Sequence, residues 1–512
     1  MLIFYRLQVV ALLLFQFLGF SSSTKIDTNK LAHPTLNNSK ATVYTIHWDE
    51  THPKLLKVQL TTTLTDQKLF MAHGAGHLPN GWANFIHNLR VTTLDGETVP
   101  IEQDDGANWS VKADIGQQIQ VAYEYHLDHE DYEWSGGLDG VAYTTNWGNF
   151  YAGRTVFVLN GEEQKDIEVV FDIPTSWKVT HPWETNTKVQ NSSIAQNQTE
   201  LTQSMFFIGK HEEFRVQEEG FELIFALGGS SVVSETKIYK DMARGVMDYY
   251  TQLMGGLPKT QFKDKVIRSV VIINEAATTD GEVLGNNISI MIKSEGGPMD
   301  KMLGKFIFAH EFFHLWNGKS IVPADDRTEW FKEGFSNYYT LKSLRQTNFL
   351  DDAGFLNVLN SLFYQRYRTD DGLGKIAMVQ GEEKHAHWGL IYAGGLFTAM
   401  AQDIMIRKTS ENKHSLDDVM KDLYQTYSGT SDTYTLDELK NRLSQLNRAD
   451  QSDFFKKYVE GAEVIPIDTY LSMGPFNAEI KDGSLLIQPK ANLSALDTEI
   501  LNGFFGKIQS AQ

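Results

Sequence analysis

Two runs decide how this chain folds: HEFFHLWNGK at residues 310–319 and WFKEGFSNYY at residues 330–339. His310 and His314 stand four positions apart, so on an α-helix they project from one face about 6 Å from each other, near enough to hold one cation. Imidazole nitrogen suits zinc, and a catalytic zinc takes three protein ligands while its fourth position stays open to water. Glu333 is placed to be the third ligand. It lies nineteen positions after His314 in a second apolar run, which leaves room for one helix to end, a turn, and a second helix to come back alongside. Glu311 points away from the ligand pair, where a carboxylate can reach an activated water without occupying the metal and act as base and then acid.

The first helix is expected over residues 298–316, with Pro298 in its first turn and Asn317-Gly318 closing it. Phe306, Phe308, Phe312, Phe313 and Trp316 make it apolar on nearly every side, and so buried on nearly every side. Two histidines and a carboxylate are costly to bury there without partners; a metal satisfies all of them together.

Residues 310–323 (HEFFHLWNGKSIVP) and 330–339 resemble the zinc-binding segments of the glycyl-aminopeptidase family of gluzincin metallopeptidases. Trp316-Asn317, Lys319 and Pro323 carry the likeness to that family, and residues 390–420 and 454–474 extend it. The resemblance implies an α+β multidomain chain: a β-rich amino-terminal domain, then a thermolysin-like, mostly helical zinc peptidase domain with one Zn2+ per chain and peptide or protein substrates. The family's Tyr-x-Lys-Gly pattern aligns with Tyr392 of IYAGG as donor to the reaction's oxyanion, with Gly394 at the lysine position. A Gly-Gly-Leu-Glu-His pattern, whose glutamate holds the substrate's amino group, aligns with residues 281–289. If Leu284 and Ser289 keep the register, the substrate-binding positions are Gly285 and Asn286, and the amine anchor is missing. That predicts reduced dependence on a free amino terminus, unless a shifted loop lets Glu282 take over. A strict aminopeptidase, an inactive peptide-binding relative and a zinc hydrolase of non-peptide bonds are the rival readings.

With 512 residues and 41% hydrophobic content the chain exceeds one ordinary domain. The organisation expected is a signal peptide at 1–23, a β-rich domain at 24–230, the catalytic domain at 231–460 and a short segment at 461–512 packed on it, with no carboxyl-terminal PDZ module. Asp and Glu number 65 against 46 Lys and Arg, a formal charge of −19, which disfavours nucleic acid and anionic membrane surfaces as partners. There is no cysteine, so any metal must sit on histidine and carboxylate. Arg6, the apolar run from Val9 to Phe20 and the serines at 21–23 read as a secretory signal, placing the mature chain outside the cytoplasm. No later segment reads as a membrane span.

Strands are expected at 42–49, 55–64, 118–127, 155–159, 167–173 and 222–227, forming a sandwich. The aromatic stretch 132–151 reads as core and turn. A helix at 234–253 opens the catalytic domain, followed by strands at 266–274 and 287–293. The second of these is placed, by resemblance, as the edge strand lining the cleft. Helices are expected at 356–367, 390–406, 416–427 and 436–443, then a mixed end. His385 and His387 read as loop histidines facing solvent, and Tyr338 and Tyr339 as packing around Glu333.

Overall fold

The computed structural model describes residues 42–508 apart from 135, 162–163, 190, 260–266 and 294. The expected signal peptide lies outside the described residues. In the amino-terminal region, Leu55–Thr63 and Gln118–His126 alternate buried and half-buried residues along their length, the period-two pattern of strands with one face in a core. They pair antiparallel inside an eight-stranded sheet that also holds Val43–His47 and Lys165–Asp172. Two four-stranded sheets pack with it around an aromatic core that includes Trp82, Phe157, Trp183 and Phe206. The segment read as a strand at 155–159 divides instead: Gly153–Val156 is a helical turn and Val158–Asn160 the strand. Thr155 closes that turn by donating its hydroxyl to the Ala152 carbonyl, a local bond that competes with strand pairing.

A second sheet of five strands underlies the catalytic region: β1 (Glu212–Glu218), β2 (Phe221–Gly228), β3 (Ile267–Ala276), β4 (Asp280–Leu284) and β5 (Asn287–Lys293). Their order is β1-β2-β3-β5-β4, with β2, β3 and β5 parallel and β4 antiparallel at the edge. Two expectations change here. Residues 212–228 pair with the catalytic sheet, so the β-rich region ends near 210 and not 230; and the edge strand is β4, while β5 is interior. Asn287, at the start of β5, is buried and donates its side-chain amide to the Gln203 and Leu284 carbonyls.

Four helices build the rest of the site: α1 (Thr236–Met254), α2 (Pro298–Phe313), α3 (Glu329–Gln346) and α4 (Gly394–Thr409). α2 ends three residues short of the expected 316, and bonds from the Leu315 and Trp316 N–H groups to the Phe312 and Phe313 carbonyls tighten its last turn. Tyr250 on α1 donates to the Ala309 carbonyl of α2 and meets Ser343 of α3 at 3.0 Å, locking the three helices together. α3 crosses α4 where Gly334 faces Gly395; a Cβ at Gly334 would stand 2.3 Å from the Gly395 Cα. That close crossing fixes Glu333, one residue earlier, against the segment that ends in α4. The apolar run 389–409 does pass a length and composition test for spanning a membrane, but 89% of its tested window is buried inside the fold, as in a core helix. Helices, a hairpin (Phe476–Lys481 with Ser484–Pro489) and Ala495–Phe504 complete the chain, the mixed ending expected.

Candidate metal centre

α2 brings His310 and His314 to the wall of a cavity of about 610 Å³, and α3 brings Glu333 to the same point. The two imidazole Nε2 atoms are 3.1 Å apart, and they lie 3.3 Å (His310) and 3.2 Å (His314) from Glu333 Oε2. A tetrahedral zinc with bonds near 2.0–2.1 Å needs donor atoms about 3.3 Å from each other, so the donor set fits the ion. The tautomer agrees. His314 Nδ1 donates to the Asn317 carbonyl at 2.9 Å, which leaves its Nε2 as a bare lone pair facing a carboxylate oxygen. Two acceptors in buried contact need a cation between them.

The other Glu333 oxygen, Oε1, lies 3.4 Å from both Lys332 and Lys384. Each lysine also pairs with Glu329 at 2.6 Å, one helical turn before Glu333. Burial would push the Glu333 carboxyl up, but the imidazoles of His314 and His310 and the Lys332 ammonium beside it outweigh that and hold its pKa well below the carboxylate range. The sequence reading missed this clamp. Glu329 lies one turn before Glu333 on the same face of α3 and Lys332 directly precedes it, so both were findable in the sequence; Lys384 arrives from a loop with no local signal.

Glu311 lines the cavity beside the triad. Burial first, opposed by His310 but reinforced by Glu333 and Glu282, lifts its pKa to about 7, where a carboxylate both takes and returns a proton. Tyr392 lines the same cavity from a π-helical turn (Gly389–Ala393) that leads into α4. Its ring stacks on Trp388 at 5.1 Å and faces His310 at 6.4 Å, and among the described residues its hydroxyl has no protein hydrogen bond. Burial and the surrounding glutamates push its pKa far up, so it remains a donor.

Gly285 and Asn286 do not face this cavity. They form the β4–β5 turn and line a separate cavity of about 520 Å³ with Gln203 and Thr430. Gly285 takes φ +61°, so the chain turns away there and the register carried by Leu284 and Ser289 breaks. Glu282, on edge strand β4, faces the metal centre's cavity instead. Its side chain packs under the 136–140 loop of the amino-terminal region, so closely that a Cβ at Gly140 would stand 2.8 Å from Glu282 Cγ. Burial lifts the Glu282 pKa; Asp280 adds to that, while Arg154 and Lys384 oppose it. Behind it Asp139 is fully buried, and among the described residues no other residue hydrogen-bonds either carboxylate oxygen; burial with Asp280 and Glu282 pushes its pKa to about 8.

His385 lines the cavity without joining the triad, and His387, half-buried and not solvent-facing as expected, pairs with Asp370 at 2.9 Å. Asp370 also receives the Gly372 and Leu390 N–H groups, so it shapes the loop and the start of the Tyr392 turn. Tyr338 and Tyr339 point away from Glu333 into a buried charge network, donating to Asp403 and Asp417.

Comparison with known proteins adds the family. Residues 43–210 match the Peptidase M61 N-terminal domain and residues 305–426 the M61 glycyl aminopeptidase domain. No curated protein matches the sequence. Among solved structures, an aminopeptidase N family protein from Idiomarina loihiensis is similar, with a TM-score of 0.73 and 20% identity over 86% of this chain and 80% of that one. An M1 zinc metallopeptidase from Deinococcus radiodurans has a TM-score of 0.51 and 13% identity over 84% of this chain and 95% of its own.

Proposed function

From the premise that this chain belongs to the M61 glycyl aminopeptidase family and is a zinc metallopeptidase, we propose that it removes residues from the free amino terminus of peptides. The observation that carries the reading is the under-compensated Glu282 carboxylate, facing the same cavity as His310, His314 and Glu333. An ammonium group supplies the positive charge that β4 lacks. The expectation of weak dependence on a free amino terminus rested on Gly285 and Asn286, and neither faces the cavity.

The roles divide by position. His310, His314 and Glu333 hold the metal, one ion per chain. A zinc ion held by this donor set would acidify a water and polarise a substrate carbonyl. Glu311 takes the proton from the attacking water and delivers it to the departing amine, so one carboxylate serves both halves of the hydrolysis. Tyr392 donates its hydroxyl to the carbonyl oxygen as negative charge builds there. Glu282, with Asp280, receives the substrate's ammonium. Export rests on the leader pattern at residues 1–23 and is tested by amino-terminal sequencing of the mature protein.

A matched peptide pair, free and amino-acetylated, tests the reading. A charge-assisted bond contributes about 1.5–3 kcal/mol, so acetylation is expected to lower kcat/KM roughly ten- to a hundredfold, and Glu282→Gln to remove most of that difference. Equal rates on both peptides, with cuts inside the chain, would overturn the exopeptidase assignment and leave an endopeptidase.

A further inference from the structure

Four cationic side chains line the metal centre's cavity: Lys319, Lys332, Lys384 and Arg366. Lys332 and Lys384 are committed to Glu329 and Glu333. Arg366 is not committed to any acid; among the described residues no carboxylate comes within ion-pair distance of it. Burial pulls its pKa down and no neighbouring acid lifts it back. Its guanidinium sits over the Trp388 ring, 4.6 Å from the guanidinium carbon to the ring centroid.

The placement is built. Arg366 follows a π-helical segment, Leu359–Tyr364, that packs beside the Tyr392 turn, and π-helical segments concentrate at functional sites. Phe363 stacks on Trp388 at 5.8 Å, Trp388 on Tyr392 at 5.1 Å, and Tyr392 on His310 at 6.4 Å. The guanidinium is therefore held on Trp388, a ring linked through Tyr392 to a metal-site histidine. A guanidinium seated over a ring is ordered yet keeps its N–H edge open, and that planar fork matches a carboxylate. The rest of the cavity, with Asp280, Glu282, Glu311 and Glu333, repels one. Among the described residues Lys319 also has no ion-pair partner, but it has neither the fork nor the aromatic seat.

We propose that Arg366, seated on Trp388, receives a carboxylate of the bound peptide and makes the enzyme prefer substrates that carry one beyond the amino-terminal residue. The carboxylate is either the peptide's own terminus or an acidic side chain. This inference rests on the cavity being the substrate cleft of the peptidase proposed above.

Three peptides read it: tri-alanine as the free acid, tri-alanine amide, and Ala-Glu-Ala amide. The wild type is expected to show kcat/KM about five- to tenfold higher for a carboxylate-bearing peptide than for tri-alanine amide, as a half-exposed charge pair allows. The free acid alone being preferred assigns the terminal carboxylate, and Ala-Glu-Ala amide alone being preferred assigns the side chain. Arg366→Gln should bring the ratio to about one, and Arg366→Lys should keep part of it. A wild-type ratio of one for both, a ratio unchanged in Arg366→Gln, or a ratio abolished by Lys319→Gln instead would overturn the assignment. Calorimetric binding of the same peptides separates this inference from the peptidase reading. Carboxylate-dependent binding lost in Arg366→Gln, without any cleavage, would sustain Arg366 and sink the peptidase; equal binding of all three would sink Arg366 whatever the turnover.

Discussion

Two walls of one cavity bury carboxylates in opposite ways. On the helical wall, Glu333 meets two imidazoles and two lysines and is held well below the ordinary carboxylate pKa. On the β wall, no other described residue hydrogen-bonds the Asp139 carboxylate, and Glu282 is opposed chiefly by Arg154; both are pushed up. Burial alone is costly for any carboxylate. The helical wall offsets that cost with side chains of the protein; on the β wall the described residues offset it less, and the proposed substrate ammonium would supply the difference.

The contrast can be broken from either side. Tyr392, beside His310, contributes a neutral donor to the same cavity, so Tyr392→Phe should lower kcat roughly 10²-fold with metal content intact. A change below about threefold would return Tyr392 to packing. Lys384→Met removes one of the cations on Glu333 Oε1 and should weaken zinc affinity about tenfold, read by chelator competition. Unchanged affinity would mean that the clamp does not hold the ligand in place.

Asp139 sharpens the comparison through pH. Its folded pKa, about 8, lies above the unfolded value near 3.9, so the folded state keeps a proton that the unfolded state releases. Its contribution to stability is therefore full below about pH 4 and declines as pH rises toward 8, by up to about 1.4 kcal/mol per pH unit. Asp139→Asn should flatten that decline in urea midpoints measured from pH 5 to 8. An identical pH profile in the variant would show that Asp139 is compensated after all.

The legible parts of the site were those written on one helix or on consecutive helices. His310 and His314 share a helical face by spacing, and Glu333 falls one helix later, so the triad could be read without a fold. The β wall could not be read in the same way. β5 is an interior strand and reads as the apolar run NISIMIK, whereas the true edge strand β4 is the short, mixed DGEVL, whose polarity hides it. Anchoring the register on apolar Leu284 and Ser289 carried the substrate positions past Glu282 and into the Gly285 turn. Lys384 and the 136–140 loop reach the cavity by tertiary folding alone. Tyr338 and Tyr339 are close to Glu333 in sequence, but α3 turns them to its far side.

The most direct test pairs metal analysis with turnover in three proteins. Wild type should carry about one zinc per chain and cleave a free-amine peptide; Glu333→Ala should lose metal and activity together; Glu311→Gln should keep the metal and lose turnover by roughly 10³-fold or more. Zinc retained at wild-type level in Glu333→Ala, or full activity in Glu311→Gln, would contradict the assignment of ligand and base on which the account stands.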